Sequence, residues 1–152
     1  MARFSRRFDI PVWMTAGTEA VHRGGEVAEW CCFSSHEAFQ IGDLQIDPYP
    51  VPHDAREPCQ FVFSDGARFL GLLTDTGSLT PHLLKALAGL DGLILECNHD
   101  PDLLADGPYP APLKERVGGP FGHLSNQQAA DLLSKIGTAR LQHLVAAHLS
   151  EE

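Results

Sequence analysis

The sequence predicts a mixed α/β layered domain, and three observations carry that prediction. Between Phe39 and Thr74, short apolar segments of strand length follow one another, with a hairpin signal at Asp65-Gly66. After Asp75-Thr76-Gly77 the apolar spacing changes from the period of a strand to that of a helix. An amphipathic stretch, Ser125 to Ile136, then separates two further apolar runs, Gly92 to Glu96 and Leu141 to Ala147. Strands, helix, strand, helix, strand is the order of a sheet covered by helices.

The elements are justified in turn. Arg3 to Phe8 reads as the tail of a helix, and Ile10 to Met14 as a short buried strand. Thr18 to Arg23 predicts a short helix stopped by Gly24-Gly25, while Glu26 to Ser35 fits neither period. Phe39 to Ile41, Leu44 to Val51 and the alternating Phe61 and Phe63 read as strands. Phe69 to Thr74 is the returning strand, apolar enough to be buried on both faces. Thr80 to Leu90 predicts a helix, with Thr80 as cap, Pro81 in the first turn and Gly89 near the end. Gly92 to Glu96 is a buried strand, and the Pro-rich Pro101 to Arg116 predicts short helices joined by turns. Ser125 caps the amphipathic helix, whose Ala129, Leu132, Leu133 and Ile136 share one face. Leu141 to Ala147 is a final buried strand.

Length and charge narrow the function. The 152 residues suit one domain, and 43% hydrophobic with 20% charged residues excludes a wholly disordered chain. No apolar run approaches the ~20 residues of a membrane span, and no secretory signal opens the sequence. A net charge of -9 argues against holding nucleic acid on a broad basic face, but not against gripping phosphodiesters through metal ions. The four cysteines, Cys31, Cys32, Cys59 and Cys97, form no C-x-x-C pair, so a reduced cytoplasmic protein is expected. Eight histidines are many for this length.

Polar residues sit just beyond the apolar runs. His53 follows Val51-Pro52, Asp75 follows Leu72-Leu73-Thr74, His99-Asp100 follows Leu93 to Glu96, and His148 follows Leu144 to Ala147. Open α/β sheets bind ligands at such strand ends, and two histidines with a carboxylate are a plausible metal-ligand set. Each residue also has a plain structural reading. Asp75-Thr76-Gly77 makes an ordinary turn, His99-Asp100 caps the next helix, and His123 merely precedes the cap at Ser125. His22, His36, His82 and His143 lie on helix or loop faces and read as structural.

In succession, five blocks resemble the C-terminal half of the metallo-β-lactamase superfamily, in its phosphodiesterase and nuclease branch. They are Pro52-His53-Asp54-Ala55-Arg56-Glu57-Pro58, Leu73-Thr74-Asp75-Thr76-Gly77, Leu95-Glu96-Cys97-Asn98-His99-Asp100, Gly122-His123-Leu124-Ser125-Asn126 and Ala147-His148-Leu149-Ser150-Glu151. The resemblance implies part of an αββα sandwich, with two divalent metal ions between two sheets: zinc, or else manganese or iron. It implies His53 as ligand of one ion, His148 of the other and Asp75 as the carboxylate bridging both. Asp75, His99 and His123 take the catalytic roles it implies, with Glu96 near the same pocket orienting ligands. The implied reaction is phosphodiester hydrolysis by a metal-activated water, on a nucleic acid or a small molecule.

The family's H-x-H-x-D-H motif, which supplies most remaining ligands, is absent, since the chain contains no H-x-H. The resemblance places it upstream of Met1 and the usual last helix beyond Glu152. Residues 1–152 are therefore expected to form one partial domain, truncated at the N-terminus and short at the C-terminus. With three ligands for two ions, weak or absent activity is expected from this chain alone, and an exposed inner sheet face favours homo-oligomers. Two alternatives remain open: a non-catalytic remnant that serves only for interaction, and thioester or lactam hydrolysis on the same fold.

Overall fold

The computed structural model describes residues 1–150. In chain order the elements are α1 (Ala2–Phe8), β1 (Val12–Met14), α2 (Ala16–Val21), β2 (Trp30–Cys32), β3 (Phe39–Ile41), β4 (Leu44–Pro50), β5 (Cys59–Ser64), β6 (Phe69–Leu73), α3 (Pro81–Ala86), β7 (Gly92–Glu96), α4 (Pro101–Asp106), α5 (Ala111–Val117), α6 (Asn126–Ile136) and β8 (His143–Ala147). Strands β3 to β8 form one six-stranded sheet in sequence order. The pairs from β3 to β6 are antiparallel, whereas β6, β7 and β8 are parallel neighbours.

That pairing decides where a site can form. Since β4 and β6 are each antiparallel to β5, they run in the same direction, and β7 and β8 run with β6. Four strands therefore end on one rim, which is where ligands bind in open sheets. Pro48 and Pro50 are tolerated within β4 because β3 pairs only as far as Ile46, so this stretch has a neighbour on one side only.

One face of the sheet carries the core. Leu73, Leu93 and Leu95 pack with Leu83, Leu87, Leu124 and Leu132 from the helical layer, all fully or almost fully buried. Each such side chain contributes about 1.5–3 kcal/mol relative to exposure. Helix α6 starts on a capping box: Ser125 Oγ accepts the Gln128 N–H while Gln128 Oε1 accepts the Ser125 N–H. Thr80 caps α3, which ends earlier than the expected Leu90.

The other face carries the row Phe61, Leu72, Ile94 and Val145. Glu26 to Ser35, which fits neither period, supplies β2, whose parallel pairing with β1 makes a separate two-stranded sheet. Trp13 of β1 stacks on Phe39 at 4.8 Å, and Phe33 contacts Phe39 and Phe61 at 5.0 and 5.7 Å. This cover does not extend along the row. Val145 is 54% exposed and Leu70 of β6 is 42% exposed. The structure thus corrects two expectations: β8 is an exposed edge strand rather than a buried one, and β6 is buried on one face only. Both run outside the small sheet, and among the described residues β8 pairs with β7 alone. Among the described residues no helix is long and apolar enough to cross a membrane.

Candidate metal centre

Each parallel strand hands one polar residue to the common rim. Glu96 is the last residue of β7 and is 0% exposed. A buried carboxylate must be satisfied by hydrogen bonds, and this one is. Oε1 accepts the Asp75 N–H at 3.2 Å, and Oε2 accepts the Thr76 and Leu124 N–H groups at 3.2 and 3.1 Å. Oε1 also meets Nδ1 of His123 at 2.9 Å and Nδ1 of His148 at 2.7 Å. Glu96 therefore joins three rim segments: the turn after β6, the loop before α6 and the end of β8.

Those contacts fix how the imidazoles are presented. A carboxylate only accepts, so both Nδ1 atoms carry the proton and each Nε2, on the far side of its ring, is left with the lone pair. His53, three residues after β4, is held the same way, with Nδ1 3.2 Å from the Gly122 carbonyl. Gly122 leaves no room for a side chain, since an added Cβ would lie 2.1 Å from the Arg116 carbonyl oxygen. The three rings surround Asp75. Its Oδ1 lies 3.9 Å from His53 Nε2, 3.9 Å from His123 Nδ1 and 3.8 Å from His148 Nδ1. Ring centroids are 5.3 Å apart for His53 and His123, and 4.9 Å for His123 and His148.

Two rim residues adopt the left-handed backbone region without being glycine: Asp75 at φ 56° and His148 at φ 52°. Such conformations cost on the order of 1–3 kcal/mol each and persist where neighbours hold them. Glu96 holds Asp75 through its N–H, and Asn98 Nδ2 donates to the His148 carbonyl at 2.9 Å.

One ligand atom each from Asp75, Glu96, His123 and His148 lies within 4.8 Å of the others, so the group is able to hold a metal ion. Hydrogen bonding separates their parts. Three backbone donors saturate Glu96, which makes it the holder of the group, whereas Asp75 and the Nε2 atoms remain for a cation. Two or three imidazoles with one carboxylate fit a divalent ion, and imidazoles held through Nδ1 by a carboxylate or carbonyl are the usual arrangement of metal-ligating histidines.

His53, Asp75, His123 and His148 are brought together. His99 is not among them: it lines a separate hollow with Leu104, Lys114, Gly118 and Ser125. It is 6% exposed there, and burial pushes its imidazole below the usual histidine range. The sequence placed Glu96 near the pocket without showing it as the hub; a lone charged residue closing the apolar run Gly92-Leu93-Ile94-Leu95-Glu96 was the only signal. Asn98 and Gly122 gave none as supporters of ligands. At the edge of the cleft, Asp54 Oδ1 lies 3.4 Å from His53 Nε2. The bond from Arg116 holds the Asp54 carboxyl below its ordinary range.

A sheet with helices on its core face delivers histidines and a carboxylate to one strand-end rim, and this architecture has known counterparts. The β-lactamase superfamily domain matches residues 1–148, and the chain belongs to that family of metallo-β-lactamase-fold hydrolases. It is 31% identical over 150 residues to exodeoxyribonuclease YycJ of Bacillus anthracis, covering 96% of this chain and 57% of that protein. It is 34% identical over 112 residues to exodeoxyribonuclease WalJ of Streptococcus pneumoniae serotype 2 (strain D39 / NCTC 7466), covering 74% of this chain and 42% of that protein. The chain thus spans about half the length of these relatives. The crystal structure of the metallo-β-lactamase-fold protein YhfI from Bacillus subtilis matches with a TM-score of 0.68 at 18% identity, over 94% of this chain and 52% of that one.

Proposed function

We propose that these residues form part of a metal-dependent phosphodiesterase whose substrate is DNA. The observation that carries the reading is Glu96, buried and fully bonded, presenting His123 and His148 around Asp75. The nuclease relatives support the choice of substrate.

In this reading His53 and His148 would hold divalent ions through Nε2, and Asp75 would be shared between two of them. Bound there, such ions supply a water of lowered pKa and neutralise phosphate charge. The chain's own residues do the rest. Glu96 holds Nδ1 of His123 as a donor and orients its ring, so that the Nε2 lone pair is presented to accept a proton or a donor in the cleft. The left-handed turn at Asp75 sets the carboxylate between the rings. Asp54 and Glu96 hold the flanking segments in register.

Ligand number limits what the 152 residues do alone. A catalytic zinc typically takes three protein ligands, and His53, Asp75 and His148 are three for two ions. Full activity is therefore assigned to a longer chain, a reading the greater length of the relatives supports. The test is hydrolysis of single-stranded DNA and of a chromogenic phosphodiester by the full-length protein beside its Asp75→Ala variant. Cleavage that disappears in Asp75→Ala supports the reading. Hydrolysis of a thioester or lactam, with both phosphodiesters untouched, overturns it.

A further inference from the structure

We infer that Arg116 is a phosphate-binding residue of the cleft, seated to grip the phosphodiester next to the one being cleaved; the inference rests on the phosphodiesterase reading above. Arg116 lies in the last turn of α5, and its Nε donates to Asp54 Oδ2 at 2.5 Å. The other oxygen of Asp54 is 3.4 Å from His53 Nε2, which is in turn 3.9 Å from Asp75. The guanidinium is thus linked through one carboxylate to His53 at the edge of the cleft, the side on which the inference seats the neighbouring phosphate.

Its surroundings fix the side chain without consuming it. The Asp54 N–H donates to the Phe121 carbonyl at 3.0 Å, and the Arg116 carbonyl accepts the Gly119 N–H, so both partners are anchored to the loop that leads to His123. The Arg116 side chain is 68% exposed, and among the described residues neither Nη makes a hydrogen bond. A fork held at Nε by a carboxylate, with two donors left toward solvent, suits a phosphate oxygen pair.

The charge distribution gives the contact its purpose. The chain carries a net charge of -9, and Asp54, Asp75 and Glu96 crowd the rim with carboxylates. The other cations with side-chain bonds are committed elsewhere. Arg68 and Arg140 pair with Asp91, Lys114 donates to the Ala105 carbonyl, and Arg6 and Arg23 bond carbonyls near the N-terminal segment. Among the described residues Arg116 is the cation bonded to a cleft residue. An acidic enzyme that takes a polyanion needs such a fixed point beside its metal-held phosphate.

The experiment compares full-length wild-type protein with Arg116→Gln and Arg116→Lys on two substrates. One is single-stranded DNA; the other is bis(4-nitrophenyl) phosphate, which has no neighbouring phosphate. Arg116→Gln is expected to raise KM for DNA about tenfold with kcat nearly constant, and to flatten the dependence of log KM on log salt by about 0.7, the slope of one single-strand phosphate contact. The loss on bis(4-nitrophenyl) phosphate should be several times smaller, and Arg116→Lys should recover part of the DNA loss. Equal losses on both substrates, or an unchanged salt slope, would overturn the assignment. A binding arm separates this inference from the catalytic reading: fluorescence anisotropy of a labelled single strand needs no turnover. Tenfold weaker binding by Arg116→Gln supports Arg116 even if the wild type cleaves nothing, and equal affinities reject it.

Discussion

Strand β7 is bracketed by two buried carboxylates, and they differ in what neutralises them. Asp91 stands just before the strand and Glu96 closes it, about 17 Å of extended chain apart. Asp91 accepts the Phe69 N–H at 2.9 Å and pairs with Arg68 at 3.1 Å and Arg140 at 2.8 Å. Those bonds hold its carboxyl below the ordinary range. It is a closed clamp: two cations meet one anion, and the loops into β6 and β8 are tied down. Among the described residues Glu96 meets no Lys or Arg. It is held by backbone N–H groups and by two imidazoles whose other nitrogen is open, with Asp75 alongside. One end of the strand is balanced within the chain; the other accumulates negative charge and leaves lone pairs for a cation. A buried carboxylate is therefore not by itself a sign of function. What surrounds it decides.

The strongest way to break this comparison is to remove each carboxylate. Glu96→Ala leaves three backbone donors without an acceptor and frees two histidines. The expected cost is about 3–5 kcal/mol of stability, with loss of metal binding. Thermal unfolding and elemental analysis together check it; a variant that still holds metal would remove Glu96 as the hub. Asp91→Asn should cost less, because Arg68 and Arg140 are exposed enough to be rehydrated. A midpoint lower by about 3 °C, with metal content unaltered, is expected. Equal effects of the two substitutions on metal would erase the distinction.

The smallest effect is in pH. His99 sits between the two ends in character: buried, near the rim, but outside the cleft. Its folded pKa is lowered, so the unfolded chain binds the extra proton first. Stability attributable to His99 is thus complete above about 6.5 and declines as pH falls below that value. Asp91 and Asp54 also have lowered pKa values, so their contribution is lost only in the more acidic carboxylate range. Unfolding midpoints at pH 7.5 and 5.5 should therefore differ less in His99→Phe than in the wild type. An identical pH drop in both would show that His99 does not titrate in this way.

Much of the fold was legible because it is local. The capping box at Ser125, the turn at Asp65-Gly66 and the run Gly92 to Glu96 each state their structure within a few residues. The exposure of β8 was not, because an apolar run says nothing about which neighbours cover it. For the site, strand ends pointed to His53, Asp75 and His148, and the parallel course of β4, β6, β7 and β8 brings those ends together. His99 and His123 look alike in sequence, each a histidine just ahead of a helix cap. Only the return of the 116–123 loop onto Glu96 turns His123 into the cleft, while His99 faces α4 and α5. That difference depends on contacts 27 residues apart along the chain, between Glu96 and His123, which no local pattern encodes.

The central claim is that the group held by Glu96 is a metal centre, and metal content tests it most directly. Full-length protein would be purified beside Asp75→Ala, equilibrated with zinc or manganese, freed of excess ion and assayed by elemental analysis, with circular dichroism confirming that both are folded. The account predicts about two ions per chain in the wild type, in keeping with a two-metal site, and less than one in Asp75→Ala. Equal metal content in the two folded proteins, or none in the wild type, would contradict it.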